Sequence, residues 1–361
     1  MSLFAVTIET IGTIQEHTNA DRLEMATLTG KDYEFVVGKG QFQMGDKVVY
    51  FPIDSLLPEW ITDALNLTGK LSGTDKNRVK TIKLRGNISQ GIVASTESFT
   101  GRVPTMADAQ IGADVTEMLG VEKYDPPPIN ILHGTLLPLP PFVSKYDIES
   151  AQNYVELTQS LMDQPVYITE KLEGSHWSIA WRADAEADED AVMVSQRNYR
   201  IESIDGKEHV WHKIAHEGNY PDKLHEIVAY WQAKTGENPQ TITLRGEALG
   251  PGVQHNYYKL DDHSVHLFEA EINGVPLAAQ DFLQLAEAHQ LPTVPLLSID
   301  VTLRDWLNGA TLKQASDGRS KIADKAREGI VIKPLTEQRD AKLGRLVLKQ
   351  RSPDYLAKSD F

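Results

Sequence analysis

The stretch YITEKLEGSHW, residues 167–177, puts a lysine, Lys171, at the end of a run with strand character. Gly174 follows three residues on, with His176 and Trp177 close behind. A charged amine at the buried end of a strand carries a desolvation cost, so the position asks for a use. Taken singly, K-x-x-G is short enough to arise by chance, and a surface lysine before a glycine turn is the simpler reading. The charged residues that follow it in order decide the fold. SQRNYRI (195–201) reads as a strand-like segment carrying Arg197. LRGEALGPG (244–252) puts Glu247 after a strand and before a glycine-rich bend, where a ligand can approach the backbone closely. VHLFEAEI (265–272) holds Phe268, REGIVIKP (327–334) sets Glu328 and Lys333 at opposite ends of an apolar core, and RLVLKQRS (345–352) does the same for Lys349. Each has a plain alternative: an exposed arginine, an edge glutamate, a core aromatic, a solvated strand end. Taken together, charges at the ends of several apolar strands point to one shared cleft.

Composition bounds what the cleft can contain. The chain has 361 residues, 41% hydrophobic and 24% charged, an ordinary globular profile long enough for two or three domains. It has no cysteine, which excludes disulfides, zinc–thiolate sites and a thiol nucleophile. MSLFAVTIETIG at the start lacks a basic and apolar leader, and no apolar run approaches the roughly 20 residues that span a bilayer, so a cytoplasmic protein without a membrane partner is expected. The net charge of −15 argues against a surface that binds nucleic acid everywhere, but charge is unevenly spread. Lys70, Lys76, Arg78, Lys80, Lys83 and Arg85 stand against Asp75 alone, and basic residues also outnumber acids from Lys321 onward. Acid gathers in ADAEADEDA (183–191), read as a solvated hairpin tip.

The first hundred residues read as all-β. FAVTIETIGTI, LEMATLTG, YEFVVGKG and DKVVYFPI are β-branched or alternating and separated by turn signals, and TIKLRGNISQGIVAS adds two strands about a Gly-Asn turn. A helix is expected over PEWITDALNLTG with Gly69 as its stop. This suits a small Greek-key barrel of the OB type. HTNADRLEMATLTG and VVGKGQFQMGDKVVYFPIDSLLP resemble OB domains that bind RNA, including those attached to some aminoacyl-tRNA synthetases. The proline-dense run 121–145 reads as a linker, and KYDIESAQNYVELTQSLMD after it as an amphipathic helix.

The ordered set from Lys171 to Lys349 resembles the covalent nucleotidyltransferases: ATP-dependent DNA and RNA ligases, NAD-dependent DNA ligases and mRNA capping enzymes. Lys171 to Gly174 matches the nucleophile motif, and Arg197, Glu247, Phe268, Glu328 to Lys333, and Lys349 match the motifs that follow. With the OB-like module ahead of the catalytic part and only about a dozen residues after Lys349, the arrangement resembles the Deinococcus-type RNA ligases, which seal breaks bearing an RNA 3′-OH. The resemblance implies an α+β chain: an OB-like β-barrel at 1–120, a linker at 121–145, and an ATP-grasp-like ligase (nucleotidyltransferase) domain of antiparallel sheets and helices at 146–361. It implies Lys171, Lys333 and Lys349 as catalytic, with Glu170, Gly174, Arg197, Glu247, Phe268, Lys333, Lys349 and Arg351 around the nucleotide. Glu170 would lie beside the purine, Glu247 would bind the ribose and Glu328 would hold the metal. ATP and Mg²⁺ or Mn²⁺ are the implied cofactors, and the implied partner is a nicked duplex of RNA or RNA/DNA hybrid with a 3′-OH and a 5′-phosphate, engaged by a monomer. Two departures stand out. Where RNA ligases often carry histidine two places after the nucleophile this chain has Glu173, with His176 nearby. Where the last motif often has a second lysine it has Arg351, keeping the charge but not its geometry. A non-catalytic RNA-binding protein and a GTP-using capping enzyme are the alternatives.

Overall fold

The computed structural model describes residues 4–125, 134–185, 191–204 and 208–358. Part of the expected linker (126–133) and part of the acidic hairpin tip (186–190) lie outside the described residues. The chain divides into two compact units. One gathers the described residues up to 125 with Ser150–Ser160, and the other gathers 134–149 with Leu161–Tyr355.

In the first unit β1 (Thr7–Glu16), β2 (Leu23–Leu28), β3 (Glu34–Gly38), β4 (Lys47–Phe51) and β7 (Ile92–Ser95) form an antiparallel sheet in the order β3-β2-β1-β4-β7. Strand β4, KVVYF, explains why a short sequence suffices. Val49 and Phe51 enter one cluster with Ile8, Leu57 and Phe99, while Val48 and Tyr50 enter another with Ile11, Phe35 and Ala26. Period-2 alternation with both faces apolar is the mark of a central strand. A separate hairpin, β5 (Thr81–Leu84) with β6 (Asn87–Gln90), precedes β7, so TIKLRGNISQGIVAS supplies three strands rather than the two expected.

Two expected helices are shorter than their periodicity suggested. PEWITDALNLTG is helical only over Glu59–Ala64, because Asn66 takes a left-handed conformation (φ 56°) and the Leu67 N–H donates back to the Thr62 carbonyl at 2.7 Å. Gly69 belongs to the turn beyond. In KYDIESAQNYVELTQSLMD the helix covers Val155–Ser160 alone. Gln152 is committed elsewhere: its amide donates to the Asp32 carbonyl (2.7 Å) and to Gln90 Oε1 (2.9 Å), tertiary bonds that outweigh local helix preference.

The second unit carries two main sheets and a small hairpin, Arg339–Asp340 with Gly344–Arg345. The larger is antiparallel throughout and comprises β8 (Gly134–Pro138), β10 (Ser175–Arg182), β11 (Val192–Ser195), β12 (Tyr199–Ser203), β13 (Thr241–Leu249), β14 (Ser264–Ile272) and β15 (Val275–Pro276), in the order β8-β12-β11-β10-β13-β14-β15. Helices Val210–Glu217, Tyr220–Thr235 and Ala279–Ala288 bury Trp211, Leu224 and Phe282 against Trp177, Ile179, Ile242 and Leu244 of this sheet. The two buried indoles lock each other's backbone: Trp177 Nε1 donates to the Trp211 carbonyl (3.0 Å) and Trp211 Nε1 to the His176 carbonyl (3.1 Å). Arg197, expected within a strand, instead lies in the turn between β11 and β12.

The smaller sheet places the nucleophile candidate. In it β9 (Pro165–Lys171) lies between β16 (Leu296–Thr302) and β17 (Gly329–Pro334), and β18 (Leu348–Arg351) pairs with β17. Five consecutive buried residues of β9, VYITE, fit that central position. The register sets Lys171 opposite Gly329, and Gly329 opposite Arg351. A Cβ on Gly329 would meet the Gln350 carbonyl oxygen at 2.1 Å, so only glycine allows this closure. Gly329→Ala is therefore expected to destabilise the fold by on the order of 1–3 kcal/mol through forced backbone displacement, read as a lower midpoint in chemical denaturation. An unchanged midpoint would show that β18 yields freely at this point.

Candidate active site

Lys171 ends β9 with its side chain about one-fifth exposed (20%), and its Nζ lies 2.6 Å from Glu328 Oε2. Glu328 is almost wholly buried (1%), and its other oxygen, Oε1, lies 3.4 Å from Arg351 Nε. Because side chains alternate along a strand, Lys171, Thr169 and Tyr167 share one face of β9, together with the register partners Val331, Lys333 and Lys349. Burial, then Arg351 and Lys171, pushes the Lys349 ammonium down to about 8. Lys171, Glu328, Lys349 and Arg351 thus form one group, assembled from the ends of three strands.

Two further carboxylates surround it. Glu247, on β13 opposite His176, is pushed up to about 8, by burial first and then by Glu328 and Glu173 against the opposing pull of Lys171. The Gly174 amide bonds to Glu247, and a Cβ on Gly174 would meet the Ala248 carbonyl at 2.4 Å and Glu247 Cγ at 2.9 Å. This contact requires a glycine three residues after the lysine. Glu173 is raised by burial and then by Glu328, while Lys171 opposes the shift. Beside these, Phe268 packs on Tyr146 (centroids 4.9 Å) and His176 (5.8 Å), making an aromatic wall. His176 is pushed down to about 3 by burial and by the neighbouring cations Arg245 and Arg197, so it is neutral at physiological pH. Arg197 itself reaches Asp147 at 2.5 Å.

Two expected members stand apart from the lysine group. Glu170 follows the alternation to the opposite face of β9. There Oε2 accepts the Lys321 amide (2.9 Å), while the buried Oε1 has no hydrogen-bond partner among the described residues. Lys333 faces the same side as Lys171 but four residues further along β9, a strand distance of about 13 Å. Its ammonium is shared between Glu269 Oε2 and the Phe268 carbonyl, both at 3.3 Å. Glu269 is the hub of a buried network that also takes Arg345 at 2.8 Å and Arg245 at 3.4 Å, with Arg245 held in turn by Glu271 at 2.6 Å. Sequence reasoning missed Glu269, Arg245 and Arg345. A buried arginine paired with alternate strand glutamates (LRGE against FEAE) is the only signal the text offered.

A hard divalent ion requires oxygen donors. Glu328, Glu173 and Glu247 supply donors of that class around Lys171, yet among the described residues no three acidic or histidine groups are assembled as a ready cluster. Of these, Glu328 meets Lys171 directly, with its Oε2 2.6 Å from the amine. The lysine group also makes a testable statement about stability. A lysine held below its ordinary 10.5 contributes full stability only when neutral, and that contribution is lost as pH falls through about 8. Lys349→Met is therefore expected to raise the thermal midpoint, most clearly below pH 8 and progressively less toward pH 10.5. A midpoint lowered at neutral pH would show that the charge stabilises the fold.

Comparisons with known proteins agree with this geometry. A family model for an OB-fold domain matches residues 5–96, and one for RNA ligase matches residues 164–351, more than half of the chain. No curated protein sequence matches. Among solved structures, a mutant of Naegleria gruberi RNA ligase with ATP and Mn is 27% identical, with each chain covered to 98% and a TM-score of 0.76. The same ligase with PPi gives the same values, and another mutant with ATP and Mn is 26% identical, with a TM-score of 0.73 over 98% of this chain and 97% of that one. An OB-fold module, an antiparallel nucleotidyltransferase unit and a family match that begins before Lys171 and ends at Arg351 lead to one conclusion: the chain belongs to the RNA ligase family.

Proposed function

We propose that the chain is an ATP-dependent RNA ligase whose nucleophile is Lys171. The observation that carries this reading is the Lys171 amine held 2.6 Å from the buried Glu328, with Lys349 and Arg351 at the same three-strand edge. The structural relatives bound to ATP, AMP and PPi support it. In the first step Lys171 Nζ forms a bond to the α-phosphorus of ATP, the bond from that phosphorus to the bridging oxygen breaks, and pyrophosphate leaves. The ammonium must first lose a proton, and in this reading Glu328 Oε2, 2.6 Å away, takes it. Lys349 and Arg351 set positive charge against the transferring phosphate, and Lys333 adds to it only on leaving its Glu269 partner. In this reading Phe268, backed by Tyr146, stacks on the base, Glu247 binds the ribose, and Arg197, with Glu170 from the opposite face of β9, completes the nucleotide's surroundings. Mg²⁺ or Mn²⁺ held by Glu328 would supply charge neutralisation to the departing pyrophosphate. AMP then passes from Lys171 to the 5′-phosphate of an RNA end, and a 3′-OH displaces it to form the phosphodiester.

Incubation with labelled ATP and a divalent metal is expected to add AMP to a peptide containing Lys171, with GTP giving no label. Lys171→Ala is expected to take up none, and Lys349→Ala is expected to be slower by about 100-fold or more. Labelling of Lys171→Ala would overturn the nucleophile assignment, and preference for GTP would favour the capping reading.

The N-terminal unit supplies the contact to nucleic acid. Ile82, Lys83, Leu84, Arg85 and Gly86 of the β5–β6 hairpin are all exposed, yet its tip is fixed. The Leu84 carbonyl accepts from His17 Nε2 (3.2 Å), the Arg85 carbonyl accepts from Asn19 Nδ2 (3.0 Å), and Asn87 Nδ2 donates to Thr18 Oγ1 (3.0 Å). Arg85 is held at φ 46°, a left-handed conformation in which asparagine or glycine is less strained. A rigid, cationic tip in a chain of net charge −15 suits a phosphate backbone, and we assign it to the nicked RNA-containing duplex. Lys83→Glu with Arg85→Glu is expected to reduce duplex affinity by about tenfold and flatten its salt dependence, with lysyl-AMP formation unchanged. Equal affinity and an equal salt slope would remove the hairpin from the interface.

A further inference from the structure

Glu173, the residue that departs from the histidine common among RNA ligases, is held through both its backbone and its side chain. Its amide donates to Tyr258 Oη at 3.0 Å, and its carboxylate oxygen Oε2 accepts from Tyr355 Oη at 2.7 Å. Tyr355 is itself buried (2%). Tyr257 closes the group by edge contacts to both other rings, at 5.1 Å to Tyr258 and 5.5 Å to Tyr355, and its own hydroxyl donates to the Ala326 carbonyl at 2.8 Å. The helix that carries Tyr355, Pro353–Lys358, is anchored through Ser352 to the backbone of Glu328. The Ser352 amide donates to the Glu328 carbonyl (2.9 Å), the Tyr355 amide donates to Ser352 Oγ (3.1 Å), and that hydroxyl donates to Asp317 Oδ1 (2.6 Å). One short segment, Ser352–Tyr355, thus grips the backbone at Glu328 and the side chain of Glu173.

We propose that Tyr355 is a positioning residue for lysyl-AMP formation: its hydroxyl holds the Glu173 carboxylate beside Lys171. The proposal rests on the reading of Lys171 as the nucleophile. Glu173 is half-buried and faces the like charge of Glu328, so an unrestrained carboxylate there would turn toward water. A phenol hydroxyl donating to a carboxylate is a strong, directional bond, and it fixes one oxygen while leaving the other free. A purely structural tyrosine cluster would need the ring of Tyr355 but not its hydroxyl. The reaction needs the hydroxyl, because catalytic groups displaced by about an ångström lose rate steeply.

Tyr355→Phe keeps the ring and removes the donor. In single-turnover formation of lysyl-AMP from labelled ATP, its maximal rate is expected to fall about tenfold, with the half-saturating ATP concentration unchanged. Glu173→Ala is expected to be slow as well, and adding Tyr355→Phe to it should cause no further loss, since the acceptor is already gone. Glu173→Asp, whose shorter arm cannot reach the tyrosine, is the second background for the same comparison. Non-multiplying losses at an unchanged thermal midpoint support the proposal. It is overturned if Tyr355→Phe labels at the wild-type rate, if the two losses multiply, or if the loss follows a lowered midpoint. A wild-type protein that takes up no AMP, or Lys171→Ala protein that does, instead overturns the nucleophile reading and the proposal with it.

Discussion

The ion pair between Lys171 and Glu328 joins residues 157 positions apart in sequence, and much of the catalytic unit serves to make it possible. It requires β9, β17 and β18 to lie in one register, and it requires Gly329, because the backbone of β18 passes where any Cβ would stand. A carboxylate as deeply buried as Glu328 is destabilising without partners. It has two, one at each oxygen. In the proposed reaction Arg351 stays at the other oxygen when Lys171 turns to phosphorus. A second cation at this position therefore has a purpose that does not depend on its fork geometry, which fits an arginine where lysine is more usual.

Around that pair the titrating groups are pushed toward their neutral forms. Burial drives Glu247 up to about 8 and Lys349 down to about 8, and holds His176 near 3. A polyanion entering the group would reverse the pressure on Lys349 by adding to the opposite charge that Asp147 and Glu149 already supply. The cluster is poorly satisfied alone and better satisfied with a triphosphate, a pattern expected where stability has been given up for binding. The Glu269 network behaves differently. There Arg245, Lys333 and Arg345 already have carboxylate partners, so it acts as a fixed frame behind Phe268.

Much of this was legible in the text of the sequence. Alternation in KVVYF and the apolar runs VYIT and GIVI announce central strands, and charges at their ends announce a shared edge. The lysine and Glu328 could be paired only through the resemblance, since nothing local connects them. What remained hidden was hidden for physical reasons. The helix expected after the linker shrinks because Gln152 finds partners more than 60 residues away in sequence. Arg197 moved from strand to turn because β11 ends after only four residues. Lys333 gives no hint in REGIVIKP that it will be turned to Glu269, and Tyr355 lies in SPDYLAK, a segment with no motif at all. Partners supplied by distant strands are beyond the reach of period and propensity.

The three strand ends that make up the lysine group leave the ribosome far apart in time. Lys171 emerges first, Glu328 follows 157 residues later, and Lys349 and Arg351 come after that. Until then β9 lacks β17, the neighbour that carries its acid, and the nascent chain holds a lysine with nothing to position it. The larger sheet, whose strands run from Gly134 to Pro276, can form earlier and wait. An incomplete polypeptide released at that stage would therefore be folded in part yet chemically silent, a safeguard that follows from the order of strands along the chain.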